Sequence, residues 1–137
     1  MMVNKKIRYF IFVIFNMLYQ DGNNDKTEPY GHCLMTILLL EFFTILVGMD
    51  LLNLFVGFSI SKILISSCGG THGFGVALLA LVVPPNYYFF IKKKHFDHYY
   101  NEFRDAEMNT KENRKIGYIC LILYVPICVG LMILLSL

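Results

Sequence analysis

The run IGYICLILYVPICVGLMILLSL, residues 116–137, decides the fold class. Its twenty-two positions carry no charged residue, and about 20 apolar residues suffice for a helix to cross a hydrocarbon core. A backbone surrounded by hydrocarbon must satisfy its own hydrogen bonds, so the run is expected to be helical. Pro126 within it predicts a kink.

Working back from this span, Asn109-Thr-Lys-Glu-Asn-Arg-Lys115 reads as a polar turn. The preceding segment HFDHYYNEFRDAE (95–107) places Phe96, Tyr99 or Tyr100, and Phe103 at i, i+3/4, i+7, one aromatic face on a helix leaving the bilayer. Lys92, Lys93 and Lys94 form a basic stop before it. A span is predicted over 74–91, with Pro84-Pro85 removing two backbone donors and bending it. Cys68-Gly-Gly-Thr-His-Gly-Phe-Gly75 reads as a surface turn. The long apolar stretch from Cys33 to Ile65 is read as one tilted span over 33–56 followed by a short apolar piece at 58–66 within an external loop, 57–73. The competing reading is a hairpin broken near Gly48-Met-Asp50. The polar segment Asp21–Gly31 breaks the chain before that span.

At the N-terminus, IRYFIFVIFNMLY (7–19) follows Lys5 and Lys6. It lacks a small-x-small pair, so no signal-peptidase cleavage is expected. It is also short for a crossing. We read 7–20 as an interfacial or bundle-covering helix, with a short extra span as the alternative. The fold class expected is an all-α transmembrane bundle of three spans plus this helix, forming a single membrane domain.

Composition agrees. Apolar residues make up 56% and charged residues 16% of the 137 positions, against roughly 45–50% and about 25% in soluble chains. A net charge of +2 lacks the basic face that nucleic-acid binding requires. Twelve Phe and nine Tyr with no Trp suit a chain anchored at lipid interfaces through tyrosine.

Lysine and arginine set the expected orientation. Eleven of the twelve, from Lys5 to Lys26 and from Lys92 to Lys115, share the side of the N-terminus and the 92–115 segment; Lys62 alone faces the other. The positive-inside rule makes the first side cytoplasmic. Four spans would break that rule and five would restore it, so run length is what favours three.

The stretch Asn86-Tyr-Tyr-Phe-Phe-Ile-Lys-Lys-Lys-His-Phe-Asp-His-Tyr-Tyr100, then a charged helix, then Asn113-Arg-Lys-Ile-Gly-Tyr118 and a final span, resembles a group of small uncharacterised bacterial inner-membrane proteins. These are built as an aromatic N-terminal segment, two spans, a charged cytoplasmic helix and a last span. The resemblance covers roughly the C-terminal half and implies a bacterial inner-membrane setting. It implies no activity.

Glu41 is the most informative side chain, since an ionised carboxylate at its depth is costly unless matched. On a helix it shares a stripe with Thr44 and Gly48, while Asp50, Asn53 and Gly57 fall on roughly the opposite face near the outer interface. Against a coupling role for Glu41 stands a neutral structural acid or a helix-association contact; Asp50 and Asn53 fit a solvated helix end. Lys92, Lys93, Lys94, Phe96, Tyr99 and Phe103 form a candidate partner or lipid interface, with the lysines first of all a stop signal. Cys68 with His72, and His32 beside Cys33, are ligand types two at a time, short of the three or four a metal needs. Cys33, Cys68, Cys120 and Cys128 suit packed bundle residues, and no nucleophile–base pattern or cofactor motif is present. The function expected is therefore non-enzymatic: binding another membrane protein as an accessory subunit or immunity-type protector. The alternative is an oligomeric small transporter or pore using Glu41.

Overall fold

A computed structural model describes residues 4–20, 27–57 and 60–136. It is all-helical among the described residues: α1 (Lys5–Gln20), α2 (Thr27–Val56), α3 (Ile60–Ser67), α4 (Thr71–Asn86) running on as a π-helical segment (Tyr87–Lys92), α5 (His95–Phe103) and α6 (Lys111–Ser136). Three stretches are long and apolar enough to cross a membrane: Tyr30–Val56, Thr71–Lys92 and Lys111–Leu135. Only 11%, 11% and 6% of their most apolar windows are buried. Side chains such as Phe55, Leu81 and Ile122 stand exposed along them, which is the surface of a protein solvated by lipid. α2 runs unbroken through Gly48–Asp50, so the hairpin reading of 33–66 does not hold.

Three expected boundaries move. α2 begins at Thr27 rather than 33, because Pro29 falls in the first turn, where a missing N–H costs no helical bond. α4 begins at Thr71 rather than 74, because two glycines complete the turn that four were expected to form. Gly69 and Gly70 take φ of 77° and 102°, and their N–H groups donate to Ser66 O (3.2 Å) and Ile65 O (2.8 Å), closing α3 in a Schellman motif. Gly73 already lies inside α4, where a Cβ would come within 1.8 Å of Cys68 O. α6 begins at Lys111, so much of the expected polar turn is helix. Thr110 Oγ1 accepts the Asn113 N–H at 3.1 Å as its N-cap, and Asn109 Nδ2 holds Arg104 O at 2.7 Å across the remaining loop.

α2 is the central span, packing against both α4 and α6, while α4 and α6 do not pack along one another. α1 packs against α2, α5 and α6, taking the bundle-covering form of the expectation. Six consecutive residues, Ile11 to Asn16, are buried, four of them at 2% exposure or less. A helix buried all round its middle is part of a core. That core joins α1 to α5, the start of α2 and the end of the π-helical segment.

The aromatic face of α5 belongs to this core, which corrects its reading as a partner or lipid interface. Phe96, Tyr99 and Phe103 are 1%, 3% and 1% exposed. Phe96 stacks on Phe15 (5.5 Å) and Phe90 (4.8 Å), and Phe103 lies 5.9 Å from Phe12. The physical reason is that α1 lies across that face, and three large rings gain more by mutual burial than by contact with water. Arg8 Nη1 donates to Glu102 Oε2 at 2.7 Å beside it, tying the two helices electrostatically.

Candidate functional site

The three spans bring polar side chains to one place. Asn86 sits one turn beyond Val82, whose carbonyl accepts from Asn86 Nδ2 at 3.0 Å. The same nitrogen donates to Glu41 Oε2 at 2.7 Å, linking α4 to α2. Thr44, one turn beyond Glu41, donates to Leu40 O at 2.7 Å and also shares a hydrogen bond with the Tyr124 hydroxyl of α6. Glu41, Asn86, Thr44 and Tyr124 therefore form an acid–amide–hydroxyl group with a contribution from every span.

These residues line a cavity of about 660 Å³ whose remaining wall is apolar, with Ile14 of α1, Ile37 and Leu40 of α2 and Phe89 of the π-helical segment. Asn86 lies six residues before Lys92, roughly 9 Å along the helix, so the group sits in the half of the bundle nearest Lys92–Lys94. Pro84 and Pro85 place it there: they lack the donors that would close the preceding turns, and the backbone widens into π-helical hydrogen bonding immediately after Asn86. Such widened turns frequently accompany functional sites.

The four polar residues singled out on α2 divide into two groups. Glu41 and Thr44 belong to the cavity. Asp50 and Asn53 lie nine and twelve residues further on, roughly 14 and 18 Å away along the axis. Asn53 fastens the α2–α3 turn, donating from Nδ2 to Ser61 Oγ at 2.9 Å and accepting the Ser61 N–H at 3.4 Å; Asp50 is half-buried nearby. Asn86 and Tyr124 are the partners that sequence reasoning missed. An asparagine directly after a proline pair in an apolar run was the available signal for the first; nothing local marked Tyr124.

At the basic end, Lys92, Lys93 and Lys94 are exposed. The ammonium groups of Lys92 and Lys93 lie 5.5 and 5.4 Å from the Tyr88 ring centre, within cation–π range. His95 stacks on Phe89 with ring centres 4.0 Å apart, and its Nδ1 is buried without a hydrogen-bond partner. Burial first, then the charges of His98 and Lys93, push its pKa below the ordinary histidine value. Burial also pushes the Tyr9 hydroxyl upward, against the pull of Arg114.

Among the described residues no three His, Cys, Asp or Glu side chains gather as a metal site would require. Cys33 is fully buried, Cys128 is buried and Cys120 is exposed, and all four thiols are free. What the Glu41 group offers is a carboxylate, an amide and two hydroxyls at an otherwise apolar wall. Comparison with protein-family models, with curated proteins and with solved structures yields no match for this chain.

Proposed function

We propose that this chain is a non-enzymatic protein of the bacterial inner membrane that acts by binding another membrane protein, as an accessory subunit or protector, with its N-terminus and the 92–115 segment in the cytoplasm. The observation carrying this reading is the Glu41–Asn86–Thr44–Tyr124 group, set in the wall of an otherwise apolar cavity lined by α1, α2, the α4 end and α6. Within a bilayer, apolar helix faces gain little by leaving lipid, whereas polar contacts between helices contribute roughly 0.6–2 kcal/mol each. A carboxylate at that depth is kept only where something matches it. Asn86 already donates to Glu41 Oε2; a partner helix presenting a donor to the other carboxylate oxygen fits both requirements, and the eleven-to-one distribution of Lys and Arg supports the orientation.

A benzophenone side chain at position 40, on the cavity wall, tests this in intact membranes of the expressing cell. We expect a discrete protein adduct on irradiation, reduced roughly tenfold by Glu41→Gln, the factor for losing about 1.4 kcal/mol. An adduct of twice the chain mass would identify the partner as a second copy. Adducts to lipid alone would overturn the proposal.

The cavity's volume supports a second reading, since about 660 Å³ lies within the usual 300–1,000 Å³ range of small-ligand sites. In that reading the chain is an oligomeric transporter, because three spans cannot enclose a polar path alone, and Glu41 lines it. Ion flux through reconstituted oligomers that is unchanged by Glu41→Gln would remove it.

A further inference from the structure

A second cavity, of about 580 Å³, opens at the basic end of the bundle. Tyr19 of α1, Tyr30 of α2, and Asp97, Tyr100, Arg104 and Lys94 around α5 line it. We propose that this cavity binds the phosphate headgroup of an anionic phospholipid from the leaflet at the Lys92–Lys94 end of the protein.

Charge comes first. Lys94 and Arg104 are the cations and Asp97 the anion of the lining. Asp97 Oδ1 already accepts the Tyr30 hydroxyl, so part of its charge is satisfied within the wall. Arg104 meets Asp105 through Nε at 3.1 Å, a contact that leaves both terminal nitrogens of the guanidinium out of it; those are the fork that suits a phosphate. The tyrosines Tyr19 and Tyr100 add hydroxyl donors.

Backbone geometry marks the same residue. Lys94 has φ 54° and ψ 35°, and it is the one non-glycine among the described residues with positive φ. Glycine takes that conformation freely, while a side chain there is strained. The turn needs no side chain at this position: the structural hydrogen bonds of residue 94 come from its backbone, with its N–H donating to Ile91 O at 3.2 Å and its carbonyl accepting from His98 at 3.1 Å. A cation at a position whose backbone favours glycine, lining a cavity that contains a second cation, is explained by an anion between them.

The fold also supplies a place for the rest of a lipid. α2 and α4, which contribute Tyr30 and Ile91 to this end of the bundle, form an apolar groove of about 410 Å³ lined by Met35, Leu38, Leu39, Phe42, Leu79 and Val83. Val83 in the groove and Ile91 in the cavity are eight residues apart on one continuous helix. An acyl chain along the groove with its phosphate in the cavity uses both; free phosphate uses only one. The inference stands on the membrane-spanning fold and does not depend on the partner-binding proposal.

The test is native mass spectrometry of the full chain released from detergent, titrated separately with phosphatidylglycerol and with phosphatidylcholine. The expected result is a preferred phosphatidylglycerol adduct that Lys94→Gly plus Arg104→Gln weakens by roughly thirtyfold, the combined effect of two basic residues near a charged lipid surface. Lys111→Gln, a cation outside the cavity, should leave it unchanged. Lys94→Gly alone should unfold no more easily than the parent, which separates loss of binding from loss of fold. Equal binding of the two lipids, or a variant that binds as the parent does, would overturn the site. Inorganic phosphate that binds as tightly as phosphatidylglycerol, with the same loss in the variants, would overturn the lipid assignment in favour of a soluble anion.

Discussion

Replacing Gly117 with alanine probes whether α1 is locked into the bundle. A Cβ at position 117 would meet Val13 Cγ1 at 2.8 Å, and Val13 Cβ and Cγ2 at 3.4 Å. Carbon atoms rest at about 3.5–4.0 Å, so the nearest pair overlaps by roughly 0.7 Å or more. Val13 is 1% exposed and, being β-branched, has little rotameric freedom to yield. α1 cannot withdraw, because Phe12 and Phe15 on its other side pack against Phe103 and Phe96 of α5. Overpacking of this kind costs about 1–3 kcal/mol, while alanine in place of glycine within a helix returns up to about 1 kcal/mol. The single substitution thus destabilises by roughly 0–2 kcal/mol after that offset, too wide a range to decide the matter, and the informative quantity is its coupling to Val13→Ala. That change alone removes two buried methyls and costs about 1–3 kcal/mol. Beside Ala at 117 the same methyls are the source of the clash, so the double variant should be more stable than the sum by about 1–2 kcal/mol. Unfolding the four proteins with SDS in mixed micelles, followed by far-ultraviolet circular dichroism, measures the cycle. Additivity within about 0.5 kcal/mol, the behaviour of independent sites, would refute the close contact of α1 with α6.

Two further expectations concern pH and sidedness. His95 has its pKa depressed below the ordinary 6.5 by burial and by the charges of His98 and Lys93, so the unfolded chain binds its proton more readily than the folded one. Its contribution to stability is therefore full above the unfolded value and lost as pH falls from about 6.5 towards the folded value. The unfolding midpoint should drop between pH 7.5 and 5.5, and His95→Gln should flatten that dependence; an unchanged profile in the variant would sink the assignment. For sidedness, Cys68 at the α3–α4 turn, kept as the sole thiol, should react with an impermeant maleimide from outside intact cells. A second protein with its only thiol at Ala106→Cys should react only after lysis. The reverse pattern would invert the proposed orientation.

The three spans were legible because run length is the strongest signal a bilayer imposes; of the short apolar piece expected at 58–66, residues 58–59 lie outside the described residues and 60–66 fall within α3 (Ile60–Ser67). Boundaries were less legible, for identifiable reasons. Gly69, Gly70, Gly73 and Gly75 look alike in a sequence, yet the first two form the turn, and Gly73 is needed inside α4 only because Cys68 O approaches it. Lys111–Lys115 resembles a loop by polarity, but a capped helix can project past the membrane with its charges in water. Glu41 announced itself as a lone acid. Its match, Asn86, lies 45 residues away, and pairing the two required knowing that α4 is the neighbour of α2 on that face.

The least legible element, α1, is also the one that organises the fold, and both facts have one cause. In a soluble chain, a segment such as FIFVIF, apolar on every side, signals a buried helix. In a membrane chain the same segment signals lipid contact, so apolarity no longer discriminates inside from outside. Burial resolves the ambiguity. No more than 11% of each span's apolar window is buried, because leaving lipid for protein gains a side chain little. The dense aromatic packing instead lies at the Lys92–Lys94 end, where α1 and α5 meet over the mouths of α2 and α4 and where water is close enough for the hydrophobic effect to act. The spans are thus held together both by the packing of α2 against α6 and by a core fastened across one end. A cleft can then remain around Glu41 without loosening the whole. Substitutions in the cleft should accordingly change what the protein binds, and substitutions in the α1–α5 core should change whether it folds.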